Sequence, residues 1–169
     1  MALTEFVRDL PQAPLSQAVG YADPGYTGPR ERRLASRLGP IIVDAEKIIA
    51  SPRGIFGFET LRQLVLLRLP AVRFGPLGLL QCVEDPSAAF LFYADVPSAS
   101  LYRPGDLDAA CRELAIDLDA VAALVLVTAR SAPAGITMNL RAPVIVDTVR
   151  RTACQHILSR TDYPVRFKP

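Results

Sequence analysis

The chain has 169 residues, half of them hydrophobic, with 19 lysines and arginines against 17 acids for a formal net charge of +2. That length suits one domain with an extension, since domains run about 100–150 residues, and so large an apolar share builds a core without metal or disulfide staples. The three cysteines, Cys82, Cys111 and Cys154, lack any C-x-x-C spacing, which argues against a disulfide framework or a zinc site and for reduced thiols in the cytoplasm.

Residues 1–37 read as the extension. They hold Pro11, Pro14, Pro24 and Pro29 and the charge run "RERR" at Arg30 to Arg33. Within them only Leu3, Phe6, Val7 and Leu10 keep a helical period, one face of a short helix over residues 2–10. So short a helix is marginal alone and has to dock or fray; docking on the chain's own domain is expected. The opening "MALTEFVRDLPQAPL" has no basic start followed by an apolar run, so no secretory signal is expected. The longest apolar stretch, Ala120 to Val127, is too short to span a bilayer.

Residues 38–169 read as the domain, and its pattern is mainly β. The runs "PIIVD", "KIIAS", "QLVLLRL", "LGLLQCV", "AAFLFYA", "AALVLVTA", "GITMNL", "APVIVD" and "TACQHIL" alternate with turn material such as "SPRG", "FGPLG", "EDPS" and "SAPAG". Many short strands with glycine and proline turns predict a small antiparallel barrel or sandwich. One segment departs from this. After "RPGD", the spacing of Leu107, Ala110, Cys111 and Leu114 predicts a single short helix over about 107–115, with Asp106 as its N-cap.

Charge is unevenly laid out. From Glu84 to Asp119 eight acids face two arginines, a local net of −6. From Ala120 to Pro169 seven basic residues face two acids, a local net of +5. Either segment steers a charged partner or simply keeps the surface solvated.

Catalytic chemistry lacks its parts. His156, the only histidine, shares a strand face with Cys154 by period 2, yet no nucleophile signature surrounds the pair. "GYADPGYTG" lacks the strand and helix that a phosphate loop requires. Glu84 and Asp85 are adjacent and dress a turn, so no metal site is expected there. Arg30, Arg32, Arg33 and Arg37 lack interleaved aromatics and read as a solvated run, so direct nucleic-acid binding is not expected. No catalytic residue, metal or cofactor is assigned.

Four blocks occur in a fixed order: "DAEKIIASPRGIFGFETLRQLVLLRL", "LQCVEDPSAAFLF", "MNLRAPVIVD" and "QHILSRTDYPVR". Together they resemble the FliW family of bacterial flagellar assembly factors over about residues 41–167. The resemblance implies a compact antiparallel β-barrel-like domain without a catalytic site. Its implied partners are flagellin and CsrA, the translational repressor of flagellin, which the protein holds once flagellin has been secreted. The competing readings are a direct RNA-binding β-barrel using the basic C-terminal half, and a small enzyme centred on Cys154 and His156.

Within the blocks, Gly54, Gly57, Phe58, Pro86, Pro143, Tyr163 and Pro164 carry the structural reading, with Phe58 as a buried plug closing one end of the barrel. Glu59, Glu84, Asp85, Phe56, Asn139 and Arg141 are the candidates for partner contact. Charges at turns have little packing work to do.

Overall fold

A computed structural model of the chain describes residues 31–69, 77–95, 100–130 and 135–169. The helix expected over residues 2–10 lies outside them. Among the described residues the chain forms ten strands and one α-helix.

Each of the nine apolar runs becomes a strand: β2 (Ile41–Asp44), β3 (Ile49–Ala50), β4 (Gln63–Arg68), β5 (Leu77–Cys82), β6 (Ala89–Asp95), β7 (Val121–Ala129), β8 (Ile136–Met138), β9 (Val144–Asp147) and β10 (Thr152–Gln155). A further strand, β1 (Glu31–Leu34), comes out of the charge run. It pairs antiparallel with β2, leaving Glu31, Arg32 and Arg33 in solvent and burying Leu34. The sheet order β6-β5-β4-β3-β10-β9-β7, with β6 paired back onto β7, closes a ring, and β8 extends it along β7. Every pairing is antiparallel except β3 with β10, joined in parallel through Thr152 opposite Ala50.

Closure explains why the strands read as apolar runs rather than alternating ones. Along β4, Leu64 and Leu66 point into the barrel, whereas Val65 and Leu67 point outward under the β1–β2 hairpin with Leu34, Ile41 and Val43. Along β7, Ala122 and Leu124 point inward. Outward-facing Ala123 and Val125 lie under the helix and the C-terminal segment. With both faces covered, both sets of side chains leave water.

The bore is narrow, and one glycine makes the room. Gly78 faces Phe92 across β5 and β6. A Cβ at Gly78 would lie 2.3 Å from the Phe92 ring, which is 2% exposed.

The helix α1 spans Asp106–Leu114. Gly105, in a left-handed conformation, is the N-cap, and no side chain caps the helix. The expected cap, Asp106, instead opens the helix. Its carboxylate accepts the Tyr163 hydroxyl at 2.7 Å and lies 3.6 Å from the Arg160 Nε. A carboxylate drawn toward tertiary partners is not free to fold back onto its own turn.

Candidate functional site

The chain direction of each strand gathers the sequence motifs at one end of the barrel. Strands β3, β5, β7 and β10 end there, while β4, β6 and β8 start there. The loop from Ser51 to Arg62, the turn from Val83 to Ala88 and the segment from Asn139 to Pro143 form this rim. Phe167 bridges to Met138, and Leu140 N–H donates to the Pro164 carbonyl, which lays the C-terminal segment against the same end.

The loop after β3 is built by backbone bonds. Ser51, fully buried, accepts from Gly54 N–H at 2.9 Å through its carbonyl and donates its hydroxyl to the Gly54 carbonyl at 3.2 Å. Gly54 has φ +66°, and a Cβ there would lie 2.5 Å from the Phe58 carbonyl oxygen, so only glycine fits. Gly57, also at positive φ, lets the chain reverse so that Ile55 and Phe58 form a bridge.

This geometry corrects the expected role of Phe58. Ile55, 2% exposed, is the plug, packed with Leu61 in the barrel core. Phe58 remains 43% exposed and meets only the edge of the barrel end, its ring 5.0 Å from Phe90 at 80°. Gly54 and Gly57, both at positive φ, shape the turn so that Ile55 enters the core while Phe58 is held at the rim by its edge contact with Phe90. Phe56 is 52% exposed.

Behind these rings lies an open cleft of about 550 Å³, lined among others by Phe56, Phe90, Leu126, Asn139, Gln155 and Val165. Arg130, Arg166 and Lys168 also border it, and none of the three makes an ion pair among the described residues. Gln155 organises the cleft. Its Oε1 accepts Phe56 N–H at 3.0 Å, and its Nε2 donates to the Ala142 carbonyl at 3.0 Å. Asn139 Oδ1 accepts Ala142 N–H at 3.1 Å, closing the turn on the other wall. One buried glutamine thus ties the Phe56 loop to the Asn139 loop.

The acidic candidates lie on the same rim, and each binds backbone. Glu84 Oε1 accepts Arg62 N–H at 2.9 Å, and Glu59 Oε1 accepts Gly57 N–H at 2.8 Å. Asp85 Oδ1 accepts both the N–H and the hydroxyl of Ser87. These N–H bonds hold the Glu59 carboxyl below its ordinary range, and the Ser87 hydroxyl and N–H do the same for Asp85. Beneath the turn, buried Gln81 donates Nε2 toward the carbonyls of Cys82, Asp85, Pro86 and Ala88, and its Oε1 accepts Arg37 N–H.

Other expected residues lie elsewhere. Arg141 donates to the Arg160 carbonyl and does not line the cleft. Pro143 contributes its carbonyl, which accepts His156 N–H at 3.0 Å. Tyr163 is buried; its hydroxyl donates to Asp106 and accepts Arg103 N–H at 2.8 Å, fastening the C-terminal segment to the start of α1. Cys154 and His156 each find a separate partner: Arg53 Nη2 lies 2.9 Å from the Cys154 sulfur, and His156 Nε2 lies 3.3 Å from Glu113 Oε2. The acidic segment is likewise divided. Asp95 is buried, Asp106 pairs with Arg160, Glu113 lies against His156, Asp108 lies on α1, and Asp117 and Asp119 lie in the turn before β7, so that of the eight only Glu84 and Asp85 are at the rim.

Sequence reasoning missed Gln155, Phe90, Arg130, Val165 and Lys168 as rim residues. Only Gln155 carried a signal, as an amide alternating with Ala153 on the inward face of an apolar strand.

The FliW protein family profile matches residues 34–169. The chain belongs to the FliW family. It is 32% identical over 133 residues to the flagellar assembly factor FliW of Syntrophus aciditrophicus (strain SB), covering 78% of this chain and 83% of the relative. To the flagellar assembly factor FliW of Desulfovibrio desulfuricans it is 35% identical over 131 residues, covering 75% and 77% respectively. A crystal structure of the flagellar assembly factor FliW superposes with a TM-score of 0.65 at 27% identity, over 81% of this chain and 96% of that one. FliW is an assembly-factor family rather than an enzyme family. No helix among the described residues is long and apolar enough to cross a membrane.

Proposed function

We propose that this FliW-family chain is a non-enzymatic cytoplasmic regulator that binds flagellin and, when free of it, holds CsrA. One observation carries the reading: parts of all four family motifs, far apart in sequence, meet at one end of the barrel around a cleft of mixed apolar, polar and basic lining. Phe56, Phe58 and Val165 stand in solvent here. Exposed aromatics beside a preformed cleft suit a protein partner, because rigid rings supply contact area at little entropic cost. Flagellin is assigned to this cleft.

CsrA, which binds RNA and is basic where it does so, is assigned to the acidic turns of the same rim, Glu59, Glu84 and Asp85. Complementary charge raises association rate and sets orientation, within a screening length of about 8–10 Å at physiological salt.

Two titrations test these assignments. Phe56→Asp should weaken flagellin binding at least about thirtyfold, the loss of one interface anchor of about 2 kcal/mol. Unchanged binding in the folded variant rejects the cleft. Because each rim carboxylate accepts backbone N–H bonds, the CsrA test uses Glu59→Gln, Glu84→Gln and Asp85→Asn together, which keep an acceptor and remove the charge. Association with CsrA should slow and lose salt dependence while the melting temperature holds. Retention of a flagellin leader RNA by this protein alone would favour the RNA-binding reading, with Arg130, Arg166 and Lys168 beside Phe56 as its contacts.

A further inference from the structure

Charge at the rim is sorted by sign. Glu59, Glu84 and Asp85 dress its turns, whereas the cleft is lined, among the described residues, by Arg130, Arg166 and Lys168 and by no acid. From this lining we infer that the cleft selects a peptide segment in which apolar side chains stand beside carboxylates. The inference rests on the cleft's being the flagellin site, and it names the chemistry of the flagellin segment that enters.

The backbone brings the cations there. Phe167 and Met138 exchange N–H to carbonyl bonds of 2.8 and 2.9 Å, and the Phe167 ring packs into the cluster that holds Met138 and Leu140. With Phe167 turned into that wall, its neighbours Arg166 and Lys168 both border the cleft. Arg130 follows the end of β7, its N–H fixed on the Gly135 carbonyl at 2.9 Å. None of the three makes an ion pair among the described residues, so their donors are open to a ligand.

Uncharged polar atoms add to the same imbalance. Gln155 Oε1 and Asn139 Oδ1 are taken by the backbone N–H groups of Phe56 and Ala142. Those bonds set the orientation of both amides, and what Asn139 keeps for a ligand is its Nδ2 donor. Thr128 and Thr137, opposite one another on β7 and β8, bring two hydroxyls to the lining. Donors are therefore in excess, the complement of a carboxylate, which only accepts.

The apolar lining decides between a peptide and a nucleic acid. Ile55, Phe56, Leu126 and Val165 share the cleft with the cations, so a ligand has to bring apolar surface as well as charge. A nucleic-acid strand needs cations along its whole track. On this rim a polyanion running past the cleft meets the acidic turns, whereas a short acidic segment ends before them. A cleft of about 550 Å³ encloses a few side chains. The rim thereby tells its two partners apart by the sign of their charge, acids facing CsrA and cations facing flagellin.

Selection from a random peptide library displayed on phage tests the preference on the full chain, with Phe56→Asp protein used to discard clones that bind elsewhere. The expected clones join Leu, Ile or Phe to Asp or Glu. Each should bind about tenfold weaker when its acids become Asn or Gln, the loss of a charge-assisted hydrogen bond. Arg166→Gln with Lys168→Gln should weaken the acidic peptide by a similar factor and leave its amide version unchanged. A merely structural role of the two cations would not produce that coupling. A neutral or basic consensus, the absence of cleft-dependent clones, or losses that simply add would each overturn the inference. Retention of the flagellin leader RNA that vanishes with the same two substitutions would give the cations to nucleic acid and overturn it as well.

Flagellin separates this inference from the reading beneath it. Acidic clones that displace flagellin uphold both. Acidic clones that leave flagellin bound uphold the chemistry of the cleft and reject flagellin as its occupant. Flagellin binding lost with Phe56→Asp, yet unchanged by the two glutamines, keeps flagellin in the cleft and rejects the acid preference.

Discussion

Phe92 and Phe58 lie on neighbouring parts of one barrel and have opposite fates. Phe92 is sealed at 2% exposure over Gly78, with strands covered inside and out. Phe58, at the rim, is 43% exposed and touches one ring edge. The wall is covered three times over: by the bore, by the β1–β2 hairpin and by the helix with the C-terminal segment. The rim has backbone bonds and buried amides to fix its shape, yet it keeps its large apolar side chains outside. On the proposed reading, cohesion and recognition fall to different residues.

If that division holds, truncation should separate the two aromatics. Phe92→Ala should cost about 3–5 kcal/mol in urea unfolding, the range for an emptied aromatic site. Gly78→Ala should cost about 1–3 kcal/mol by overpacking against the Phe92 ring. Combined with Phe92→Leu it should cost less than the sum, because the two side chains contend for one space. An additive double variant would show that the Cβ is accommodated elsewhere. Phe58→Ala should cost only about 1 kcal/mol, chiefly its edge contact with Phe90. A loss equal to that of Phe92→Ala would erase the contrast.

Much of the wall was legible in the sequence. The nine apolar runs give β2 to β10 because burial on both faces writes a run of apolar residues that turn residues then interrupt. The helix was legible from its period, displaced by one residue because Asp106 serves Tyr163 and Arg160 instead of capping. Strand β1 was hidden: only Leu34 of its four side chains is buried, so "ERRL" has no apolar pattern to read. Ring closure through the parallel β3–β10 pair was hidden too, since one residue pair carries it. At the rim, glycine spacing located the turn but could not say which of Ile55 and Phe58 enters the bore. That depends on tertiary contacts such as the one between Phe58 and Phe90, more than thirty residues away in sequence. The rim acids were found, while their bonds to Gly57, Arg62 and Ser87 N–H groups depend on loop geometry.

The smallest effect concerns how the C-terminal segment is fastened to the helix side. Hydrogen bonds from Arg160, then Arg103, lower the Asp162 carboxyl from 3.8 to about 2. A carboxylate whose folded pKa lies below its unfolded value adds stability above about pH 4 and loses it as pH falls toward 2. Asp162→Asn should therefore slightly flatten the fall in urea midpoint between pH 5 and pH 2.5. This exposed pair is screened by solvent, so its effect should remain the least of the set. An unchanged acid profile would mean that the Asp162 pair does not help to hold the segment.

Hydrogen exchange of the full chain with and without flagellin tests the division most directly. Binding should slow exchange in residues 54–59 and 164–168, on the two walls of the cleft, and leave the β1–β2 hairpin at residues 31–44 unaltered. Protection of the hairpin or of α1, with the rim unchanged, would contradict the assignment of recognition to the open end of the barrel.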